Sequence, residues 1–322
     1  MRLSYEKGWQ SRTGVSEKML AFVLSGGGNR GALEVGALQA LFEHGIRPQM
    51  LVGTSAGAMN AAYVAANPTL EGVQKLAELW LKIAKEDVYP GNHLTMAWRL
   101  LTGQDSLFPN KNLKRFIEAH MPPGIRRFLD IRDVKLYVVA TNLNTGQIQV
   151  FGDDPSTPLL DALMASGALP PYFPPWSYEG WQYIDGAAVA NLPLGVALDR
   201  GATEIYAIHV AGSERREPYI RGLRSIASQS LAAMLSQQLE RELERAAARA
   251  DVTVHYIKLE AFQDLPFWDF DHAAEMIEEG RRAMEEYLHS PKPLTAPRAL
   301  PYWVLQPLWR VERWLDGLLV RS

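Results

Sequence analysis

The stretch "LVGTSAGAMN", residues 51–60, places one serine between two glycines where a short apolar run changes into a helical pattern. A strand should end just before Gly53, and a helix should follow over 56–66. A G-x-S-x-G sequence at such a turn is typical of a nucleophile elbow, which strains the serine backbone and exposes its hydroxyl. Glycines such as Gly57 permit close backbone approach. We therefore predict that Ser55 is a nucleophile; the alternative is an ordinary helix N-cap.

A second glycine-rich turn, "SGGGNRG" at 25–31, also lies between a predicted strand, 19–25, and a predicted helix. Backbone N–H groups at a helix N-terminus favour negative charge, so this loop is the candidate oxyanion hole. The same glycines spell G-x-G-x-x-G, the dinucleotide fingerprint, which needs an acidic residue about 20 positions later. Pro48–Val52 and the serine turn occupy that place, which argues against dinucleotide binding. The candidate oxyanion residues are Gly26, Gly27, Gly28, Asn29 and Arg30.

The candidate base is a carboxylate rather than a histidine. None of the seven histidines follows a predicted strand as a hydrolase histidine would, and His209 and His255 fall inside strand patterns, where a core role is expected. Asp185 ends a short apolar strand and precedes Gly186. A buried carboxylate has a raised pKa and can accept a serine proton, so we predict a Ser–Asp dyad. The alternative for Asp185 is a simple turn residue.

The order of the predicted elements indicates an α/β fold. Apolar strands separated by amphipathic helices are typical of a parallel sheet covered on both faces. Residues 86–110 are expected to be irregular, and the proline-dense 169–176 is expected to be a rigid loop. The other predicted strands cover 135–152 (two strands around a turn), 183–185, 204–210 and 252–259, and the other predicted helices cover 70–84, 158–166 and 220–250. We expect one domain at 18–289, an N-terminal extension at 1–17 and a C-terminal tail at 290–322.

Composition narrows the function classes. The chain has 322 residues with a net charge of −3, so we expect no nucleic-acid partner. It has no cysteine, which removes disulfides and thiolate nucleophiles. We find no signal peptide and no window of 18 apolar residues, and we expect a cytoplasmic protein. The oligomeric state, including a homodimer, stays open.

Four motifs, in this order, resemble those of the patatin-like phospholipase family. The resemblance covers roughly residues 19–212, with looser similarity to about 289, and it implies a three-layer α/β/α sandwich with a mostly parallel central sheet. The motifs are "GGGNRG" at 26–31, "GTSAG" at 53–57, "ASGALPPYFPP" at 165–175 and "DGA" at 185–187.

The resemblance implies a serine acyl hydrolase that cleaves fatty-acyl esters of phospholipids or related lipids. Ser55 would form the acyl-enzyme and Asp185 would be its base, with no metal and no cofactor. Backbone N–H groups around Gly27, Gly28 and Asn29 would bind the oxyanion. The alternatives are a carboxylesterase or lipase for neutral or soluble esters and a non-catalytic lipid-binding protein.

Two apolar stretches are candidates for peripheral membrane contact. Residues 93–108 follow the third predicted helix and could form a lid over the site. Residues 301–320 combine aromatic anchors with interleaved arginines, a pattern that suits an interfacial helix. Ordinary packing is the alternative for 93–108. Docking on the domain or on a second subunit is the alternative for 301–320.

Overall fold

A computed structural model describes most of the chain. The predicted extension at 1–17 and the part of the predicted tail from 295 onward, which includes 301–320, lie outside the described residues. The described residues are 18–91, 93–212, 220–266 and 268–294.

Within these ranges the chain alternates strands and helices. The strands are β1 (Leu20–Leu24), β2 (Met50–Thr54), β3 (Lys135–Asn142), β4 (Ile148–Phe151), β5 (Trp176–Tyr178), β6 (Trp181–Asp185), β7 (Glu204–Val210) and β8 (Thr253–Leu259). The helices are α1 (Gly31–Glu43), α2 (Ala56–Ala66), α3 (Leu70–Trp80), α4 (Lys85–Val88), α5 (His93–Leu101), α6 (Lys111–His120), α7 (Leu159–Ser166), α8 (Ala187–Ala190), α9 (Leu194–Asp199), α10 (Leu223–Ala247) and α11 (Ala273–His289).

The strands form one mostly parallel sheet in the order β5-β6-β3-β2-β1-β7-β8, with β4 also paired to β3. The five strands β3, β2, β1, β7 and β8 are parallel, and the three antiparallel strands lie at the β3 side. Parallel strands end at a common edge, so the loops after β1, β2 and β7 meet there. The mostly parallel sheet predicted from the sequence is confirmed.

Helices cover both faces of this sheet. On β1, Phe22 and Leu24 point into a core shared with α1, α2, α3 and α11. Their neighbours Ala21 and Val23 point the opposite way, into a core shared with α9 and the end of α10. This alternation follows from the two-residue period of a strand, and burial on both sides explains why β1 is apolar throughout. The three-layer α/β/α fold class is therefore confirmed.

Two local predictions are wrong. The 86–110 stretch is not irregular: it contains the end of α4 and the whole of α5, because Leu94, Trp98 and Leu101 recur at helical spacing between breakers that lie outside the helix. The proline-dense 169–176 is a loop as predicted, but its last residue, Trp176, begins β5. Among the described helices, none has the length and hydropathy needed to cross a membrane.

Candidate active site

Strand register places Ser55 and Asp185 at the same level of the sheet. Thr54 of β2 lies opposite Val139 of β3, so the next residue, Ser55, comes level with Ala140. β4 pairs with Val138–Thr141 along one edge of β3, so β2 and β6 share the other edge, where Ala140 lies opposite Asp185 of β6 just past the end of β2. Ser55 and Asp185 therefore meet on the same edge of β3, level with Ala140, although they are 130 positions apart in the sequence.

Ser55 has the backbone of a nucleophile elbow. Its φ is 56° and its ψ is −124°, a combination that is costly for a residue with a Cβ and that clusters at functional sites. It stands at the N-terminus of α2, yet its side chain makes no capping hydrogen bond there. The alternative interpretation of Ser55 as a side-chain N-cap is therefore wrong, and its hydroxyl is left for other chemistry.

The glycines of both motifs are needed for close packing around this turn. A Cβ on Gly57 would stand 2.5 Å from the backbone oxygen of Ser25, and one on Gly53 would stand 2.5 Å from the oxygen of Gly57. A Cβ on Gly26 would stand 3.2 Å from the Cβ of Ser55. Side chains at these positions would separate the two turns, so the glycines hold the oxyanion-loop candidate against the serine.

Ser166, at the end of α7, fixes the backbone of the elbow. Its Oγ accepts a hydrogen bond from the Ser55 N–H at 2.8 Å and donates one to the Val139 oxygen at 2.6 Å. Ser166 is fully buried. It lies in the segment "ASGALPPYFPP", 165–175, but its sequence does not indicate this contact.

Replacing Ser166 with alanine should lower both stability and turnover. The change leaves the Ser55 N–H and the Val139 oxygen buried without this partner, which costs about 1–3 kcal/mol of unfolding free energy. The elbow also loses a positioning contact, so kcat should fall more than KM changes. Urea unfolding and ester kinetics measure the two effects. Ser156→Ala, at an exposed serine bonded to Asp154, is the control, and equal behaviour of both variants would contradict the role of Ser166.

Asp185 is buried and only partly satisfied. Its Oδ1 accepts the Ala187 N–H at 2.8 Å, while its Oδ2 is buried without a hydrogen-bond partner of regular geometry. Burial raises the pKa of Asp185 to about 6, although the nearby Ser55 hydroxyl and the Ala187 N–H both act to lower it. The carboxyl is therefore a stronger base than an exposed aspartate and remains mostly ionised at pH 7.

The glycine loop turns several N–H groups toward the same region. The Gly26 N–H is already donated to the Asn191 oxygen at 3.1 Å, which removes it from the candidate donors. In the described hydrogen bonds, the N–H groups of Gly27, Gly28 and Asn29 have no acceptor. Gly28 has a φ of +61°, and this turn places the three N–H groups at the start of α1. They remain the candidate oxyanion donors.

The side chains of Asn29 and Arg30 hydrogen-bond this loop to other segments of the chain. The Asn29 amide donates to the backbone oxygens of Pro266, at 3.0 Å, and Asp269. The Arg30 Nη1 donates to the Ala211 oxygen at 2.6 Å, just after β7, and burial lowers the pKa of its guanidinium. Both side chains therefore hold the loop against neighbouring segments.

An apolar pocket opens beside the serine. Ser55 and Gly28 line it together with apolar side chains from α2, α3 and α6. The pocket is open to solvent on one side and encloses a space of about 130 Å³. Buried Tyr89 also lines it, stacked on Phe173 at 5.2 Å between ring centroids. Burial and the charge of Asp185 raise the pKa of Tyr89.

Three histidines have hydrogen-bond partners other than Ser55 and Asp185. His209 Nδ1 lies 2.8 Å from the Tyr256 hydroxyl, and His255 Nδ1 lies 2.9 Å from the Tyr287 hydroxyl. His120 lines the pocket, but its Nδ1 lies 2.9 Å from a backbone oxygen of its own helix. Within the described ranges, no cluster of three or more His, Asp or Glu side chains could hold a metal ion.

Comparison with known proteins places this site in a family context. Patatin-like phospholipase domain-containing protein 6 of Homo sapiens is 30% identical over 202 residues, which are 62% of this chain and 14% of that protein. Lysophospholipase NTE1 of Lodderomyces elongisporus is 26% identical over 209 residues, 63% of this chain and 13% of that protein. YqhO of Bacillus subtilis is 26% identical over 219 residues, 61% of this chain and 72% of that protein.

Among solved structures, VipD from Legionella pneumophila is similar, with a TM-score of 0.49 and 16% identity over 85% of this chain and 67% of that chain. The family model described as Patatin-like phospholipase matches residues 22–198, more than half of the 322 residues. That match includes both glycine turns, Ser55 and Asp185. The chain therefore belongs to the patatin-like phospholipase family.

Proposed function

We propose that this protein is a serine acyl hydrolase that cleaves fatty-acyl esters of phospholipids or related lipids through an acyl-enzyme. One observation carries the proposal. A backbone-strained serine, Ser55, stands beside a buried carboxylate, Asp185, at the wall of an apolar pocket. An ordinary packing role would need neither the strain nor the buried charge.

In the first half of the reaction, the Ser55 hydroxyl attacks the acyl carbonyl carbon and Asp185 takes its proton. Negative charge then develops on the carbonyl oxygen of the tetrahedral intermediate. The N–H groups of Gly27, Gly28 and Asn29, at the positive end of α1, would donate to that oxygen. Asp185 returns its proton to the departing alcohol or lysolipid oxygen, and the ester bond to Ser55 remains.

In the second half, water attacks the acyl-enzyme carbonyl and gives its proton to Asp185. The same N–H groups stabilise the second tetrahedral intermediate. When it collapses, Ser55 Oγ leaves and recovers the proton from Asp185, and the fatty acid is released. Each half therefore begins and ends with an ionised Asp185, which agrees with a pKa near 6 at neutral pH.

The pocket supports an acyl chain as the substrate group. Its wall is built from buried Trp80, Ile117, Phe173 and similar side chains, which would bury an alkyl chain. The printed name of one relative, Lysophospholipase NTE1, is consistent with a lipid ester substrate. A carboxylesterase for short soluble esters would have little use for this much apolar wall.

Peripheral membrane contact is part of this proposal. Helix α5, inside the predicted 93–108 stretch, exposes Leu94 (79%), Trp98 (60%) and Leu101 (87%) on one face. Its sequence, "HLTMAWRLL", has an arginine and no acidic residue. An exposed apolar face that includes an aromatic side chain suits a lipid surface.

A fluorophosphonate probe tests the nucleophile directly. We expect it to label the wild-type chain on the peptide that contains Ser55, as read by mass spectrometry, and to leave Ser55→Ala unlabelled. Ser230→Ala, at an exposed serine on α10, is the control and should label normally. Labelling at another residue, or no labelling of the folded wild type, would contradict an acyl-enzyme at Ser55 and favour a non-catalytic lipid-binding protein.

Hydrolysis assays then define the substrate. We expect p-nitrophenyl esters to be cleaved faster as the chain lengthens, and phospholipid or lysophospholipid to be cleaved as well. Cleavage of short esters alone would instead support a carboxylesterase.

A further inference from the structure

The second half of helix α10 is fixed to the domain. The Gln238 amide donates to the Ala188 oxygen at 2.6 Å, and the Gly195 N–H donates to Glu242 Oε2 at 2.5 Å. Arg245 pairs with Asp199 at 2.5 Å. These contacts run in order down α8 and α9, from just after Asp185 toward the start of β7, so the direction of the helix relative to the site is known.

The first half of α10 extends past this contact region. The helix runs away from the catalytic edge after Gln238, so the residues before Gln238 continue beyond that edge. Fifteen residues, 223–237, span about 20 Å at 1.5 Å per residue. Every described side chain from 223 to 231 is exposed. A helix of this length has little stability of its own in water, so an unpacked half-helix calls for a partner.

This projecting half carries an apolar face. Leu223 (87% exposed), Ile226 (51%), Leu231 (50%) and Met234 (63%) follow spacings of three, five and three residues. At 100° per residue these four side chains lie within an arc of about 140°. We name these four residues the α10 face. Four large exposed apolar side chains on one face are unusual for a surface helix, whose exposed side is normally polar.

Charge separates the two halves of the helix. Residues 218–239 contain no Asp or Glu but include Arg221 and Arg224, whereas acidic residues begin at Glu240. The projecting half therefore carries one arginine and no carboxylate, with Arg221 just before it, and the fixed half carries the carboxylates. A basic, acid-free amphipathic segment complements an anionic bilayer.

The helix also arises at the catalytic edge of the sheet. β7, which precedes it, ends at Val210, and a Cβ on Gly27 would stand 2.9 Å from Val210 Cγ1. The next residue, Ala211, accepts the hydrogen bond from Arg30. The strand that precedes α10 thus ends beside the oxyanion loop, at the edge of the sheet that carries Ser55.

We propose that the α10 face is a membrane anchor that inserts into the head-group region of an anionic bilayer and holds the catalytic edge against the lipid. This inference rests on the proposed function, since an anchor at this edge serves a substrate that resides in a membrane. A second copy of the chain is a poorer fit. Four side chains on one projecting half-helix offer much less than the roughly 800 Å² per partner of a stable interface.

Vesicle sedimentation tests the anchor. All proteins carry Ser55→Ala so that lipid is not consumed, and the vesicles contain phosphatidylcholine with or without phosphatidylserine. We expect Leu223→Gln/Met234→Gln to weaken binding to phosphatidylserine vesicles at least about tenfold. Leu81→Gln/Leu129→Gln, at leucines away from α10 that are 55% and 50% exposed, should not change it. Arg221→Gln should weaken binding to the anionic vesicles about fivefold and leave binding to phosphatidylcholine unchanged.

Parallel assays with an intact Ser55 separate the two proposals. The Leu223→Gln/Met234→Gln variant should hydrolyse a soluble p-nitrophenyl ester at the wild-type rate and hydrolyse vesicle phospholipid more slowly. Full vesicle affinity in that variant would overturn the anchor and leave the hydrolase standing. If neither the wild type nor this variant hydrolyses the soluble ester, the proposed hydrolase function is wrong instead. If light scattering shows a wild-type dimer that the variant converts to a monomer with unchanged vesicle affinity, the face binds a second copy and the anchor is wrong.

Discussion

Asp185→Asn is expected to lower kcat/KM for p-nitrophenyl esters by about 10²–10⁴-fold, the usual contribution of a general base. Asparagine can still accept the Ala187 N–H, so the local fold should persist. It cannot accept the Ser55 proton, so the serine stays un-ionised and attacks slowly. Steady-state kinetics of the folded variant, checked by circular dichroism, measure the loss.

The pH profile identifies the carboxyl as the base. The wild type needs ionised Asp185, so kcat/KM should fall as pH drops through about 6. An exposed aspartate would give this limb near pH 4. If Asp185→Asn remains active while a histidine variant is inactive, the enzyme uses a histidine base and the dyad is wrong.

The same substitution should stabilise the protein at neutral pH. Because the pKa of Asp185 is about 6 in the folded chain and near 3.8 when unfolded, the folded state binds more protons between these values. The stabilisation that comes from protonated Asp185 is therefore present below pH 4 and is lost as pH rises through 6. Removing the charge should restore up to about 3 kcal/mol at pH 7, at 1.36 kcal/mol per pKa unit. Asp133→Asn, at an exposed residue before β3, should change neither activity nor stability.

Much of the fold could be predicted because its signals are local. Apolar runs such as 19–25 and 204–210 are buried on both faces, and glycines mark the turns that follow β1 and β2. Helix α5 was not predicted because the proline and glycine residues near its ends are typical of an irregular loop. Strand β5 was missed because its three residues are specified by pairing with β6 rather than by their own sequence.

The site likewise has residues that the sequence indicates and contacts that it does not. The sequence singles out Ser55 because it follows a strand between two glycines, and Asp185 because it ends a strand just before Gly186; register then brings them level. The sequence does not indicate that the backbone oxygen of Asn191 accepts the Gly26 N–H, or that Ser166 Oγ accepts the Ser55 N–H. Both are contacts across more than 100 positions, and they depend on how separate elements pack.

Glu34 is the largest feature that the sequence analysis overlooked. It sits in α1 among apolar residues and is fully buried. Its Oε2 accepts from the Asn60 amide at 2.9 Å, while its Oε1 is buried without a hydrogen-bond partner in the described residues. Asn60 also donates to the Gly31 oxygen at 3.0 Å and accepts from the Trp80 indole at 2.9 Å. Through Asn60, these hydrogen bonds connect α2 to the oxyanion loop and to Trp80 in the pocket wall.

Burial raises the pKa of Glu34 to about 8, although the Asn60 hydrogen bond and the nearby Ser25 act to lower it. At pH 7 the carboxyl is therefore mostly protonated in the folded chain and ionised in the unfolded chain. The folded state binds the extra proton, so stability falls as pH rises from about 4.5 toward 8. The full penalty corresponds to about 5 kcal/mol at 1.36 kcal/mol per pKa unit.

Glu34→Gln should remove this penalty, because glutamine has the same shape, accepts the Asn60 bond and carries no charge. We expect the variant to match the wild type near pH 4.5 and to exceed its unfolding free energy by several kcal/mol above pH 8. Urea unfolding across this pH range measures the difference, with Glu244→Gln, at an exposed residue of α10, as the control. Ester hydrolysis should persist in Glu34→Gln because the link from Asn60 to Gly31 and Trp80 remains. A wild-type pH dependence in the variant would show that Glu34 is ionised in the fold and stabilised by a partner.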